Sequence, residues 1–284
     1  MKKNSHDYLN DSLLRFKKNK LAMFGLFILI VLMILSAIGP SFSPYTYFET
    51  NLACKNLSPT LTHPFGTDEL GRSLFVRIWW GARISLFIGI TAAIIDMILG
   101  VFFGGIAGLA GGKIEEVMMR IADMLHSLPH LLIVILLTVI MKQGIATIII
   151  AMTLTGWINM ARIVRAQILS LKELDFIIAS KSMGAKRGRI LLRHLIPNCF
   201  GPIITTMTLT IPQAIFTEAF LSFLGLGVQA PIASWGTMAS DGLSALSFYP
   251  WRLFFPAAFI SITMLAFNLI GDGLRDAFDP RLRQ

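Results

Sequence analysis

The feature that most constrains this chain is a series of apolar runs about as long as a bilayer is thick. A helix advances ~1.5 Å per residue, so roughly 20 mostly apolar residues cross ~30 Å of hydrocarbon. Runs bounded by charged or turn residues fall at 21–39, 84–109, 125–141, 144–164, 198–224 and 253–271, which predicts six spans. The expected fold class is therefore an all-α polytopic membrane protein with six transmembrane helices. Hydrophobic residues at 55%, charged residues at 14% and a mean hydropathy of +0.69 agree, since a soluble domain of this length fits them badly. The first run follows basic residues, as a secretory signal does, but Leu21 to Ile38 exceeds a signal core and reads as a retained span.

An even number of spans puts both ends on one side. Nineteen of the 25 Lys and Arg fall on the side holding the N-terminal tail (Lys2, Lys3, Arg15, Lys17, Lys18, Lys20), the 110–124 and 162–197 loops and the residues after Gly271. The other side holds six: Lys55, Arg72, Arg77, Arg83, Lys142 and Arg252. Basic loops resist translocation, so both termini are predicted to be cytoplasmic, and the net charge of +9 needs no nucleic-acid partner. Trp79, Trp80, Trp235, Tyr249 and Trp251 lie near predicted outer boundaries, where such residues anchor at the interface.

Nothing in the chain reads as a metal, redox or catalytic centre, and no cofactor is expected. Cys54 stands in a polar loop and Cys199 at the foot of a span, which gives no disulfide framework. His126 and His130 are four apart, but Ser127 follows where a metalloprotease has Glu, and Pro129 breaks the helix. The stretch ending Gly112-Lys113 fails as a phosphate loop, with Ala107 in place of its first Gly and Ile114 in place of Ser or Thr. No convincing repeat relates the two halves of the chain, so an inverted-repeat carrier is not supported.

Within the spans, Gly100, Gly104 and Gly108 recur every fourth residue and form one helix face where a neighbouring backbone can come close. Asp96 shares that row, so it is expected at a helix interface, either in an interhelical hydrogen bond or against cargo. Glu218 has Ala214 and Ser222 on its row and is expected to face the bundle, as part of a pathway or gate or in a structural pairing. Pro202 and Pro212 fall inside the fifth span and are expected to bend it.

The 171–197 loop is long, basic and patterned as two short helices around a glycine. Leu174, Ile177, Ile178 and Lys181 have helical spacing, with Glu173 and Asp175 where carboxylates favour a helix N-terminus. Gly184 is placed to close that helix, and Ala185 to Leu195 to form a second one carrying Lys186, Arg187, Arg189 and Arg193 before Pro197. This loop resembles the cytoplasmic loop of bacterial ATP-binding-cassette importer permeases, whose pattern is Glu-Ala-Ala, three residues, Gly, nine residues, Ile-x-Leu-Pro. Ala179, Gly184 and Pro197 match, whereas Ile178, Ser180, His194 and Ile196 replace Glu, Ala, Ile and Leu.

Further segments are similar to the peptide and nickel branch of these permeases. They include Asn19-Lys20-Leu21-Ala22, His63-Pro64-Phe65-Gly66-Thr67-Asp68 with Gly71-Arg72, and Gly81-Ala82-Arg83-Ile84-Ser85-Leu86. Arg120, Asp123 and Pro129 follow, then Leu221 to Gly227, Ser234-Trp235-Gly236, Asn268 to Asp276 and Asp279-Pro280-Arg281. The resemblance implies a non-catalytic permease in a bacterial inner membrane that forms half of a pore with a second, paralogous permease. It also implies two ATPase subunits on the cytoplasmic loops and an external substrate-binding protein. Residues 1–60 would then be the N-terminal tail, first span and start of an external loop, and 61–284 a core of five spans. The ATPase-docking set would be Ile178, Ala179, Ser180, Lys181, Gly184, Lys186, Arg187, His194 and Pro197. Peptide is the expected cargo; nickel or another small solute, and an ATP-independent channel or carrier, stand as alternatives.

Overall fold

The computed structural model describes residues 5–278, so Lys2, Lys3 and the closing Asp279-Pro280-Arg281 lie outside the described residues. Among those described, the regular structure is helical apart from one isolated bridge between Thr67 and Ser73. The helices are α1 (Ser5–Lys18), α2 (Lys20–Ile38), α3 (Leu74–Ala110), α4 (Gly112–His126), α5 (His130–Met141) and α6 (Ile145–Leu171). There follow α7 (Asp175–Ser182), α8 (Arg187–Ile190), wider π turns at Leu191–Leu195, α9 (Ile196–Asn198), α10 (Phe200–Phe223), α11 (Trp235–Leu243) and α12 (Trp251–Phe278). We name the end of the bundle carrying α1 and α7–α9 the inner end, and the end carrying residues 39–73 and α11 the outer end.

Four segments, Lys20–Phe42, Leu74–Ala110, Ile145–Leu171 and Trp251–Phe278, are each long and apolar enough to cross a membrane. Two bent pairs, α4 with α5 at 77° and α8–α9 with α10 at 64°, raise the number to the predicted six when each pair is counted as one span. Several predicted boundaries shift. The second span begins at Leu74 rather than 84, because the fold supplies its arginines with hydrogen-bond and ionic partners. Arg83 donates to the Ser36 and Ala37 carbonyls at 2.6 Å each, and Arg77 reaches Tyr47 O and the Asp68 carboxylate. The fourth span runs on to Leu171 rather than 164, since Arg165 pairs with Glu115 at 2.6 Å and Arg162 with Asp123 at 2.8 Å.

The predicted third span at 125–141 is broken. Pro129 disfavours helix at the residue before it, leaving α5 with 12 residues, about 18 Å and too short to cross alone. Pro202 does not kink the fifth span: it is the third residue of α10, where its missing N–H would have had no partner inside the helix. Pro212 does lie inside α10, but the 64° bend falls at Cys199. Trp79 and Trp235 are buried rather than interfacial, and Trp235 Nε1 donates to Ile78 O at 3.0 Å.

The centre of the bundle is the α3–α6 pair. A Cβ on Gly100 would sit 2.5 Å from Met160 Cβ, and one on Gly108 would sit 3.0 Å from Arg165 O. A Cβ on Gly104 would collide with the Ala161 backbone, 2.8 Å from its Cα. The glycine row therefore sets how near the two backbones come, in a medium where packing rather than water expulsion holds helices together. Gly104→Val is expected to lower stability in detergent by about 1–3 kcal/mol through overpacking. Gly188→Ala, with nothing within 4 Å of its Cβ and a helical backbone, should be neutral or slightly stabilising. Thermal unfolding of the two purified variants checks the contrast.

Candidate functional site

At the inner end, α7 begins with Asp175 in its first turn, finishes with Lys181 in its last and closes at Gly184. Gly184 has φ +81°, the left-handed conformation that favours glycine. Its N–H donates to Lys181 O at 2.9 Å and that of Ala185 to Ser180 O at 3.1 Å, the paired bonds of a Schellman closure. Ile177 is buried with Ile168, Ile190, Leu195, Cys199 and Ile203, so α7 is seated on the bundle through one apolar contact surface.

The predicted docking residues divide between the two faces of this loop. Ile178, Ala179, Lys181, Gly184, Lys186, Arg187 and Pro197 are exposed. His194 is half-buried in the π turns, and Ser180 faces the core, its Oγ donating to Phe176 O at 2.9 Å. Ser180 therefore cannot present its side chain to a partner. The second predicted helix, 185–195, regularises only over Arg187–Ile190. Pro197 has no N–H for the Arg193 carbonyl, and the chain widens to π turns, with Ile196 N donating to Leu191 O. Phe176 and Met183 also stand exposed, Met183 at 81%, an apolar tip on a basic loop that the motif alignment passes over. The signal was present as a methionine beside the closing glycine.

Asp96 lies in the α3–α6 seam, where Gly156 leaves the space its carboxyl group fills. It is buried, and Oδ1 has no hydrogen-bond partner, so the expected interhelical hydrogen bond is not formed among the described residues.

Glu218 is fully buried where α3, α10 and α11 meet. Its Oε1 accepts from Ser222 Oγ at 2.8 Å and Ser234 Oγ at 2.7 Å, and its Oε2 from Ser85 Oγ at 3.0 Å. Ser85 Oγ in turn accepts from Trp235 N at 3.2 Å, and Ser234 caps α11 in a reciprocal box with Thr237. One carboxyl group thus seats a short outer helix into a socket between two spans. Ser234 and Ser85 are 16 and 133 residues away from Glu218, too far for sequence spacing to pair them. Next to this socket Asp68 holds the outer loop, accepting from Arg72 N at 2.9 Å and Arg72 Nε at 2.7 Å. Gly71 makes the turn at φ +73°, against Asn51 O.

Glu218→Ala would leave three buried hydroxyls without their acceptor and is expected to cost about 2–4 kcal/mol, with Glu218→Gln costing under about 1.5 kcal/mol. Unfolding of the purified variants, with protease access to the 225–233 segment as the local readout, checks this order.

Comparison with known proteins agrees with this architecture. The family described as "Binding-protein-dependent transport system inner membrane component" matches residues 100–284, and "N-terminal TM domain of oligopeptide transport permease C" matches 7–59. The chain is 59% identical to the oligopeptide transport system permease protein OppC of Bacillus subtilis, over 99% of this chain and 92% of that one. It is 57% identical to the dipeptide transport system permease protein DppC of the same organism, over 100% and 89%. OppC of Escherichia coli is 42% identical over 96% and 91%. Among solved structures, a chain of the inward-facing MetNI methionine ABC transporter shares the fold, with a TM-score of 0.55 at 17% identity, over 70% of this chain and 94% of that one. The chain belongs to the family of binding-protein-dependent transport system inner membrane components.

Proposed function

We propose that the chain is a permease subunit of an ATP-binding-cassette importer for peptides, forming half of the translocation pathway and docking a separate ATPase through the 171–197 loop. Full-length identity of 57–59% to permeases named for oligopeptide and dipeptide transport carries the cargo reading, and favours it over nickel. The chain itself is not an enzyme; ATP hydrolysis belongs to the partner subunits. A second permease, two ATPases and an external binding protein complete the assembly. Residues 1–60 supply the first span and its inner helix, and 61–284 the core.

The coupling role rests on the shape and chemistry of the loop. Ile178 and Met183 offer apolar contact, and Lys181, Lys186, Arg187 and Arg189 surround them with positive charge. Without the acidic anchor of related loops, docking depends on apolar burial and on acidic groups of the ATPase. When ATP closes the ATPase pair, α7 moves with it. The Ile177 contact passes that motion to Ile190, Leu195 and Ile203, and so to α10. Two discrete packings of the inner end would then alternate the side from which the pathway opens.

Gly184→Arg is expected to abolish uptake and weaken ATPase copurification while leaving the protein inserted, because the side chain would project into open space on the docking face. Gly184→Ala costs only the left-handed backbone strain, about 1–2 kcal/mol, and should keep both activities. Labelled-peptide uptake and pull-down of the ATPase check the pair; unchanged uptake in Gly184→Arg would sink the docking role. For topology, a reporter fused after Ser58 should read as external and one after Lys172 as cytoplasmic, and the reverse pattern would overturn the assignment.

A further inference from the structure

The exposed faces of the spans are of two kinds. On α2, α3 and α5 they are apolar through the middle of the bundle: Phe27, Ile98 and Val139 are representative, at 64%, 58% and 77% exposed. These surfaces suit lipid. The exposed faces of α6, α10 and α12 are mixed: apolar side chains such as Leu154, Phe216 and Leu265 stand on them, and each also carries an exposed carboxamide, at Asn159, Gln213 and Asn268. None of the three amide groups has a hydrogen-bond partner among the described residues.

Their depth is shared. Asn159 lies twelve residues from the inner end of α6 at Leu171, Gln213 thirteen from the start of α10 at Phe200, and Asn268 ten from Phe278. At ~1.5 Å per residue, all three stand about 15–20 Å along their helices from the inner end. Below them the same three helices enclose an open cavity of about 460 Å³, lined by Gln167 of α6, Thr205, Thr206 and Leu209 of α10, and Arg275 of α12. Gln213 follows Thr206 by seven residues and Asn268 precedes Arg275 by seven, so each amide continues the helix face that lines the cavity.

An unpaired amide facing hydrocarbon costs about 4–8 kcal/mol on a scale with no hydrogen bonding, and three on converging faces would make lipid contact prohibitive. These faces meet water or a polar ligand. We infer that Asn159, Gln213 and Asn268 form a hydrogen-bonding track on the wall of the translocation pathway, contacting the main-chain amides of the peptide in transit. A carboxamide donates and accepts, as a peptide unit does, so it can pair with any residue of the cargo irrespective of side chain. The inference rests on the peptide-permease reading.

The test uses the assembled importer in membrane vesicles, with Cys54→Ser and Cys199→Ser as background. Single changes Asn159→Cys, Gln213→Cys and Asn268→Cys are exposed to a charged, membrane-impermeant thiol reagent, with Val139→Cys as the lipid-facing reference. All three should react faster than the reference, and more slowly when peptide and its binding protein are supplied with ATP. In parallel, Asn159→Leu, Gln213→Leu and Asn268→Leu should each lower peptide uptake about fivefold, the worth of roughly one hydrogen bond, at equal membrane abundance and equal basal ATPase rate. Reaction no faster than the reference means that lipid or the second permease covers these faces, and overturns the track. So does labelling that peptide leaves unchanged, or uptake unaffected by the leucines. Failure of the unmodified importer to take up any peptide would refute the cargo reading itself.

Discussion

The close approach of α3 and α6 is the contact on which the other helices are arranged. Three glycines four residues apart let the backbones meet along Met160, Ala161 and Arg165 over about 12 Å of helix. Each further element is registered against it. Glu115 and Asp123 tie α4 to α6 through Arg165 and Arg162, so the short, steeply bent third span is held by ion pairs where it lacks length. Gly89, eleven residues before Gly100 along α3, admits Ile215 of α10, with a Cβ position only 2.6 Å from its Cγ1. A shift of the α3–α6 register by one residue would turn the glycine row away from its partner and displace both neighbours.

The two ends of the bundle are built for different tasks. At the outer end the polar groups around Glu218 are saturated by three hydroxyls, and Asp68 takes up Arg72 and Arg77 in a buried cluster. The Glu218 network is stiff, since opening any part of it strands a buried donor or acceptor. The inner end is looser: its ion pairs are partly exposed, its helix continues through π turns, and α10 bends at Cys199. Screened pairs and poor hydrogen-bond ladders open at low cost. A push on α7 therefore meets a compliant end first, and it reaches α10 through a continuous apolar contact rather than through a rigid frame.

What could be read from the sequence follows from how local each cause is. Apolar run length and the four-residue glycine spacing are local, and most of the spans and a close backbone contact along the Gly100–Gly108 row appear as expected, although the partner helix α6 was not foreseen. Charge-bounded span ends were misplaced at Arg77, Arg83, Arg162 and Arg165, because a cation ends a span only when nothing nearby neutralises it. Their partners lie 9, 47, 39 and 50 residues away, and only the fold brings them together. The same distance problem hid Ser85 and Ser234 around Glu218 and made Trp79 and Trp235 look interfacial. In the inner loop the closing glycine was legible from its position, whereas the inward turn of Ser180 required knowing which face of α7 meets the core.

The chemistry of the proposed track follows from what a peptide pathway must avoid. A charged group facing the pathway at mid-depth would discriminate among cargo side chains and hold an opposite charge tightly in a poorly hydrated space. An entirely apolar wall would leave each passing peptide unit without hydrogen bonds, at a cost of several kcal/mol per group. Carboxamides on three helices lie between these limits. Each replaces part of the water lost by the backbone, yet a neutral hydrogen bond nets only about 1 kcal/mol and releases its partner readily. Conduction needs sites favourable enough to enter and weak enough to leave, and several equivalent weak contacts at one depth meet both conditions. On the proposed reading, the neutral, side-chain-independent character of Asn159, Gln213 and Asn268 would let peptides of varied sequence pass, with selection left to a delivering protein.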